Sequence, residues 1–155
     1  MVDILLLDES LSYVPSFVEN LQDEYSSTLW KNLNVVHIRG LNELTEHLSK
    51  NVYDILIAEV VNPLDDLWDS LWSRKREIMS NGMICAPYIV SQIRELQPKC
   101  RILFHTTQSW LNIHDSLAQC LDIPEWEQNV VPQYSYFRKP EPAKNIVKEI
   151  IRLTA

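Results

Sequence analysis

The chain has 155 residues, 46% of them hydrophobic and 23% charged, a balance that predicts one globular domain over residues 1–155 and argues against disorder. Its 21 acidic and 14 basic residues give a formal net charge of -7, which argues against a nucleic-acid partner because such binding rests on Lys and Arg neutralising phosphates. Only Gly40 and Gly82 are glycine, so the glycine-rich phosphate cradles, the dinucleotide fingerprint and the P-loop, are excluded.

Short apolar runs alternate with helical periodicity. Ile4-Leu5-Leu6-Leu7 is continuous and ends at Asp8-Glu9, which predicts a strand buried on both faces. Val14, Phe17, Val18, Leu21 and Tyr25 recur at helical spacing, with Ser12 as a cap and Pro15 in the first turn. Val35 to Ile38 predicts a second strand, closed by Gly40, and Leu41, Leu44 and Leu48 a short amphipathic helix. A third strand is expected from Asp54 to Val61, ending at Asn62-Pro63. Leu64, Leu67, Trp68, Leu71, Trp72 and Met79 then fall on one helical stripe, an insertion of about 64–82. Ile89, Val90, Ile93 and Leu96 mark a helix starting at Pro87, and Arg101 to His105 a fourth strand leading into Thr106. Trp110, Ile113, Leu117 and Leu121 mark a further helix, and Asp122 to Gln133 a polar loop. Tyr134 to Arg138 is a fifth strand, and a last helix beginning near Pro142 turns Ile146, Val147, Ile150 and Leu153 inward and Lys144, Lys148 and Arg152 outward.

Five β-α units in series imply an α/β fold, a parallel sheet with helices on both faces and right-handed crossovers. The three cysteines, Cys85, Cys100 and Cys120, have no CxxC spacing and read as buried thiols of a reducing cytosol. The N-terminus lacks a basic n-region and its apolar run stops at Asp8, so neither a signal peptide nor a membrane partner is expected, and the predicted location is cytoplasmic.

In an open parallel sheet, function gathers at the carboxyl ends of the strands. Those ends carry Asp8 and Glu9, Glu59, Thr106, and Lys139-Pro140. Three carboxylates, a hydroxyl and an ammonium therefore converge on one edge, a hard-oxygen set suited to magnesium. In the alternative, Lys139 pairs with Glu59 or Asp8 and no metal binds. His37, His47 and His114 show no metal-ligand spacing, and His105 has no nucleophile beside it.

Asp8-Glu9 after the first apolar run, Tyr53 to Glu59 with Pro63 beyond it, Thr106 and Lys139-Pro140 together resemble the response-regulator receiver domain of two-component signalling, in order and over nearly the whole chain. The resemblance implies a flavodoxin-like five-stranded parallel sheet of order 2-1-3-4-5, here with an extra helical insertion after the third strand. It implies that Asp8 and Glu9 are the acidic pair that holds magnesium, that Thr106 is the hydroxyl contacting a phosphoryl group, and that Lys139, followed by Pro140, is the conserved lysine of the family. Tyr136 matches the aromatic whose rotamer reports activation.

The departure is Glu59, which stands where the resemblance places a phosphoacceptor aspartate. Its extra methylene displaces the carboxylate from line with metal and donor, and phosphoryl transfer is sensitive to such displacement. The expectation is an atypical receiver, not an enzyme, that works as a phosphorylation-independent protein-interaction module. It is expected to stand alone, because the chain ends after the last helix. Its partner would be another signalling protein, a kinase, transcription factor or other output protein, or a second copy in a homodimer. The surfaces expected to meet it are Trp68 and Trp72 of the insertion and Lys144, Lys148 and Arg152 of the last helix. The alternative is a magnesium-dependent response regulator that still accepts a phosphoryl group. Flavin binding is disfavoured, since Ser10 to Tyr13 supplies no glycine.

Overall fold

The computed structural model describes residues 1–60, 85–120 and 134–155. Within them five strands and five helices alternate: β1 (Val2–Leu7), α1 (Val14–Leu29), β2 (Leu33–Ile38), α2 (Leu41–Lys50), β3 (Ile55–Ala58), α3 (Ala86–Leu96), β4 (Arg101–Thr106), α4 (Trp110–Cys120), β5 (Tyr134–Arg138) and α5 (Ala143–Thr154). The strands form one parallel sheet of order β2-β1-β3-β4-β5, as expected from the sequence. The expected insertion helix with Trp68 and Trp72, and the loop from Asp122 to Gln133, lie outside the described residues.

Strand alternation divides the apolar residues between two cores, which is why the central strands read as unbroken apolar runs. Leu5 and Leu7 of β1, Leu56 and Ala58 of β3 and Ile102 and Phe104 of β4 face α2, α3 and α4. Ile4, Leu6, Ile55, Ile57 and Leu103 face α1 and α5, meeting Phe17, Leu21, Ile146 and Ile150. The helical periodicity of α1 and α5 is thus met by one sheet face. No described helix is long and apolar enough to cross a membrane.

Two local expectations are corrected. Ser12 does not cap α1: Tyr13 occupies that position, and its N–H donates to the Ser10 hydroxyl (3.2 Å). β3 is shorter than expected, because the chain leaves the sheet after Ala58. Glu59 N–H still donates to Leu7 O (2.9 Å), but the Val60 carbonyl is taken by Cys85 N–H (2.7 Å), which draws the segment toward α3.

α1 ends at Trp30, whose backbone is left-handed (φ 57°, ψ 30°) and whose N–H donates to Ser26 O (2.8 Å). A tryptophan there is sterically costly, and with 91% of its surface exposed it recovers little by packing. Trp30→Gly is expected to stabilise the fold by about 1 kcal/mol, read as a higher urea midpoint at unchanged slope. An unchanged or lower midpoint would show that the indole makes compensating contacts.

Candidate functional site

Strand register assembles the site. Leu7 and Ala58 are partners across β1 and β3, so the residues that follow them, Asp8 and Glu59, leave the sheet side by side. Thr106 closes β4 opposite Arg138, and Lys139 N–H donates to Thr106 O (2.8 Å), which brings the lysine back over the same edge. The sheet order reverses about β1 and β3, so this edge is the switch point at which an open α/β sheet leaves a crevice.

The side chains close on one another. Lys139 Nζ donates to Asp8 Oδ2 (2.7 Å) and to Glu59 Oε2 (2.9 Å). The remaining Asp8 oxygen, Oδ1, accepts the Ser10 N–H (2.9 Å). Glu59 Oε1 accepts the Val60 N–H (2.9 Å) and the Thr106 hydroxyl in a short hydrogen bond. Asp8 is 2% exposed and Glu59 7%, so both charges are held away from water by the ammonium and these donors. Burial alone would lower the Lys139 pKa, but hydrogen bonds and attraction from the Asp8 and Glu59 carboxylates outweigh it and raise it above the usual lysine value.

Glu9 joins the cluster differently. Its Oε2 is buried with no hydrogen-bond partner, and burial, with Asp8 and Glu59 adding repulsion, raises its carboxyl pKa. Three carboxylates facing one lysine leave an excess of negative charge, and Glu9 carries the unanswered part. The backbone at this turn is fixed from β2: His37 Nε2 donates to Asp8 O (2.7 Å), and the Arg39 guanidinium donates twice to Glu9 O (3.1 and 2.9 Å).

A second set of neighbours escaped the sequence reading. Lys139 Nζ lies 4.9 Å from the centre of the Tyr13 ring, and Tyr13, Phe17 and His105 are arranged in series, with Phe17 and His105 stacked at 4.8 Å. Two signals could have found them. Tyr13 and Phe17 are four apart at the start of one helix, and β4 alternation puts His105 with Leu103 on the α1 face rather than with Thr106. His105 is 1% exposed and its Nε2 lacks a partner, so burial and then the Lys139 charge push its pKa down to about 4.

A path of hydrogen bonds leads out of the pocket. Thr106 Oγ1, which donates to Glu59, accepts the Gln108 N–H (3.2 Å), and the Tyr136 hydroxyl donates to Gln108 O (2.6 Å). Tyr136 is half-buried against Trp110 of α4, with ring centres 5.7 Å apart. The Lys139–Pro140 peptide is cis. Lys144 and Lys148 stand exposed on α5, while the Arg152 guanidinium is paired with Glu149 on its own helix. Trp68 and Trp72, the other residues expected to meet a partner, lie outside the described residues.

The magnesium ion implied by the resemblance can be tested against these donors. Among the described residues no three metal-ligating side chains are gathered into a site, and every Asp8 and Glu59 oxygen already accepts a hydrogen bond. Glu9 Oε2 is the orphan a cation would satisfy. Glu9 would hold a magnesium ion through Oε2, and the ion would supply positive charge beside the Asp8 and Glu59 carboxylates, whose oxygens are already engaged.

No family model matches the chain, and no curated protein does so either. Solved structures do. A response regulator receiver domain protein (CheY-like) from Methanospirillum hungatei JF-1 superposes with a TM-score of 0.61 at 14% identity, covering 99% of this chain and 94% of its own. A response regulator receiver protein from Sinorhizobium medicae WSM419 gives 0.63 at 17%, covering 98% and 93%. An orphan response regulator of H. pylori gives 0.59 at 13%, covering 99% and 97%. Likeness over the whole length at such low identity speaks for the fold alone: the protein has the fold of the response-regulator receiver domain.

Proposed function

We propose that the protein is a receiver-type module of two-component signalling that acts by docking to another protein and does not accept a phosphoryl group. The observation that carries this reading is the state of Glu59. To attack a phosphodonor, a carboxylate must offer a lone pair in line with the leaving group. Both Glu59 oxygens are instead engaged by Lys139, Thr106 and the Val60 N–H, and the group is 7% exposed. By contrast, one solved structure of this fold, a response regulator protein from Burkholderia pseudomallei (13% identity), holds a phosphorylated aspartic acid and a calcium ion.

On this reading, the permanent carboxylate of Glu59 does part of what a bound phosphoryl group would do. It draws the Thr106 hydroxyl inward, and the Thr106–Gln108–Tyr136 hydrogen bonds carry that position to the face formed by α4, β5 and α5. The partner is then a kinase, a transcription factor or other output protein, met through that face and the Lys144 and Lys148 side chains. Lys139 neutralises the pocket and orients Glu59. Magnesium, when bound through Glu9, would supply the remaining positive charge.

Incubation with acetyl phosphate and magnesium, followed by intact mass measurement, tests the reading. The expected mass is unchanged. A labile phosphate adduct that Glu59→Gln abolishes would overturn the proposal in favour of a phosphate-accepting response regulator.

A further inference from the structure

We propose that a basic cavity at the amino ends of β4 and β5 binds a small anion carrying at least two negative charges. The cavity has a volume of about 360 Å³, within the range of small-molecule sites. Arg94 reaches it from the last turn of α3, Lys99 from the connection that follows, and Arg101 from the first residue of β4, while Tyr134 at the start of β5 forms a wall. Among the described residues no carboxylate lines it.

Charge makes the cavity unusual for this chain. Acidic residues outnumber basic ones by 21 to 14, yet three cations are gathered here. None of the ion pairs among the described residues engages them, whereas Lys50, Lys139 and Arg152 each meet a carboxylate. The carboxyl end of α3 lies nearby and supplies about half a negative charge, which answers only a fraction of three positive ones. Arg101 is not on that helix at all, so helix capping does not explain its place. The Arg94 guanidinium sits against the Tyr134 hydroxyl, which positions one fork of donors beside the cavity. Cys100 lies in the wall with its thiol pKa pushed up to about 12 by burial, so it adds no negative charge.

The occupant that fits is small and bears clustered oxyanions, phosphoryl or carboxylate groups, because both offer the paired oxygens that guanidinium forks recognise. The cavity lies at the opposite end of the sheet from the Asp8–Glu59–Lys139 cluster, about 17 Å along β4 at about 3.3 Å per residue. The proposal does not depend on how Glu59 is read.

Backbone amide spectra of the labelled protein, titrated with inorganic pyrophosphate, with citrate, and with sodium chloride at matched ionic strength, decide the matter. The expected result is a saturable shift of the Arg94, Lys99, Arg101 and Tyr134 amides that chloride does not reproduce. Arg94→Gln/Arg101→Gln should weaken it at least tenfold, while Lys31→Gln/Lys50→Gln, which removes exposed charge elsewhere, should leave it unchanged. Saturation by either anion supports the site, and the preferred one tells phosphoryl from carboxylate recognition. Shifts that grow linearly, that chloride matches, or that centre on Lys139 would overturn the proposal.

Discussion

Lys139→Met is expected to lower the unfolding free energy by about 3–5 kcal/mol at pH 7, the cost of leaving buried carboxylates without their cation. The substitution keeps most of the side-chain volume and removes the one ammonium that bridges Asp8 and Glu59. The folded pKa of Lys139 is raised above 10.5, so its contribution is full below that value and is lost as the pH rises through the folded pKa. The variant should lack this alkaline loss. Lys139→Met/Glu59→Leu, which removes the cation and one of its carboxylates together, should restore only part of the loss, because Asp8 stays buried without its cation. Urea unfolding across pH measures all three proteins. A loss below about 1 kcal/mol, the range of exposed pairs, would show that water screens the cluster.

The reach and the limit of sequence reading are both visible at this edge. Apolar runs and helical spacing carried the parallel sheet with helices on both faces, because a strand buried on both faces leaves an unbroken apolar signature at Ile4 to Leu7 and Ile55 to Ala58, whereas the order of the strands rested on the family resemblance. Asp8 and Glu59 were legible as candidates for the same reason, each being the first polar residue after such a run, whereas Thr106 and Lys139 follow His105 and Arg138 and were marked by their place at a strand end and by the family resemblance. Their pairing was not legible. Whether Lys139 bridges Asp8 and Glu59 or meets only one depends on the register of three strands and on side-chain rotamers, neither of which is written in residue spacing. The basic cavity was hidden for a related reason. Arg94 and Arg101 are seven apart and separated by a turn, and only the return of β5 beside β4 places Tyr134 against them.

His105 carries the other large effect. Its imidazole is stacked on Phe17, tilted toward Tyr13, and faces the Lys139 ammonium and the Asp8 carboxylate, with no partner for Nε2. The folded pKa of about 4 lies below the usual 6.5, so between those values the unfolded chain binds a proton that the folded protein refuses. Stability from this residue is full above pH 6.5 and falls as the pH drops, by about 3 kcal/mol at pH 4. His105→Phe should remove that acid loss, leaving only the contribution of the carboxylates. It should also gain about 1–2 kcal/mol at pH 7, since it deletes a buried nitrogen without a partner while keeping a ring against Phe17. His105→Leu, smaller and aliphatic, controls for overpacking: it should share the flattened acid limb even if cavity formation cancels the gain at neutral pH. The measurement is the unfolding free energy from pH 4 to 8 for the three proteins. If all three lose stability in parallel on acidification, the imidazole takes its proton in the folded state, which would place water or a mobile carboxylate within reach of Nε2.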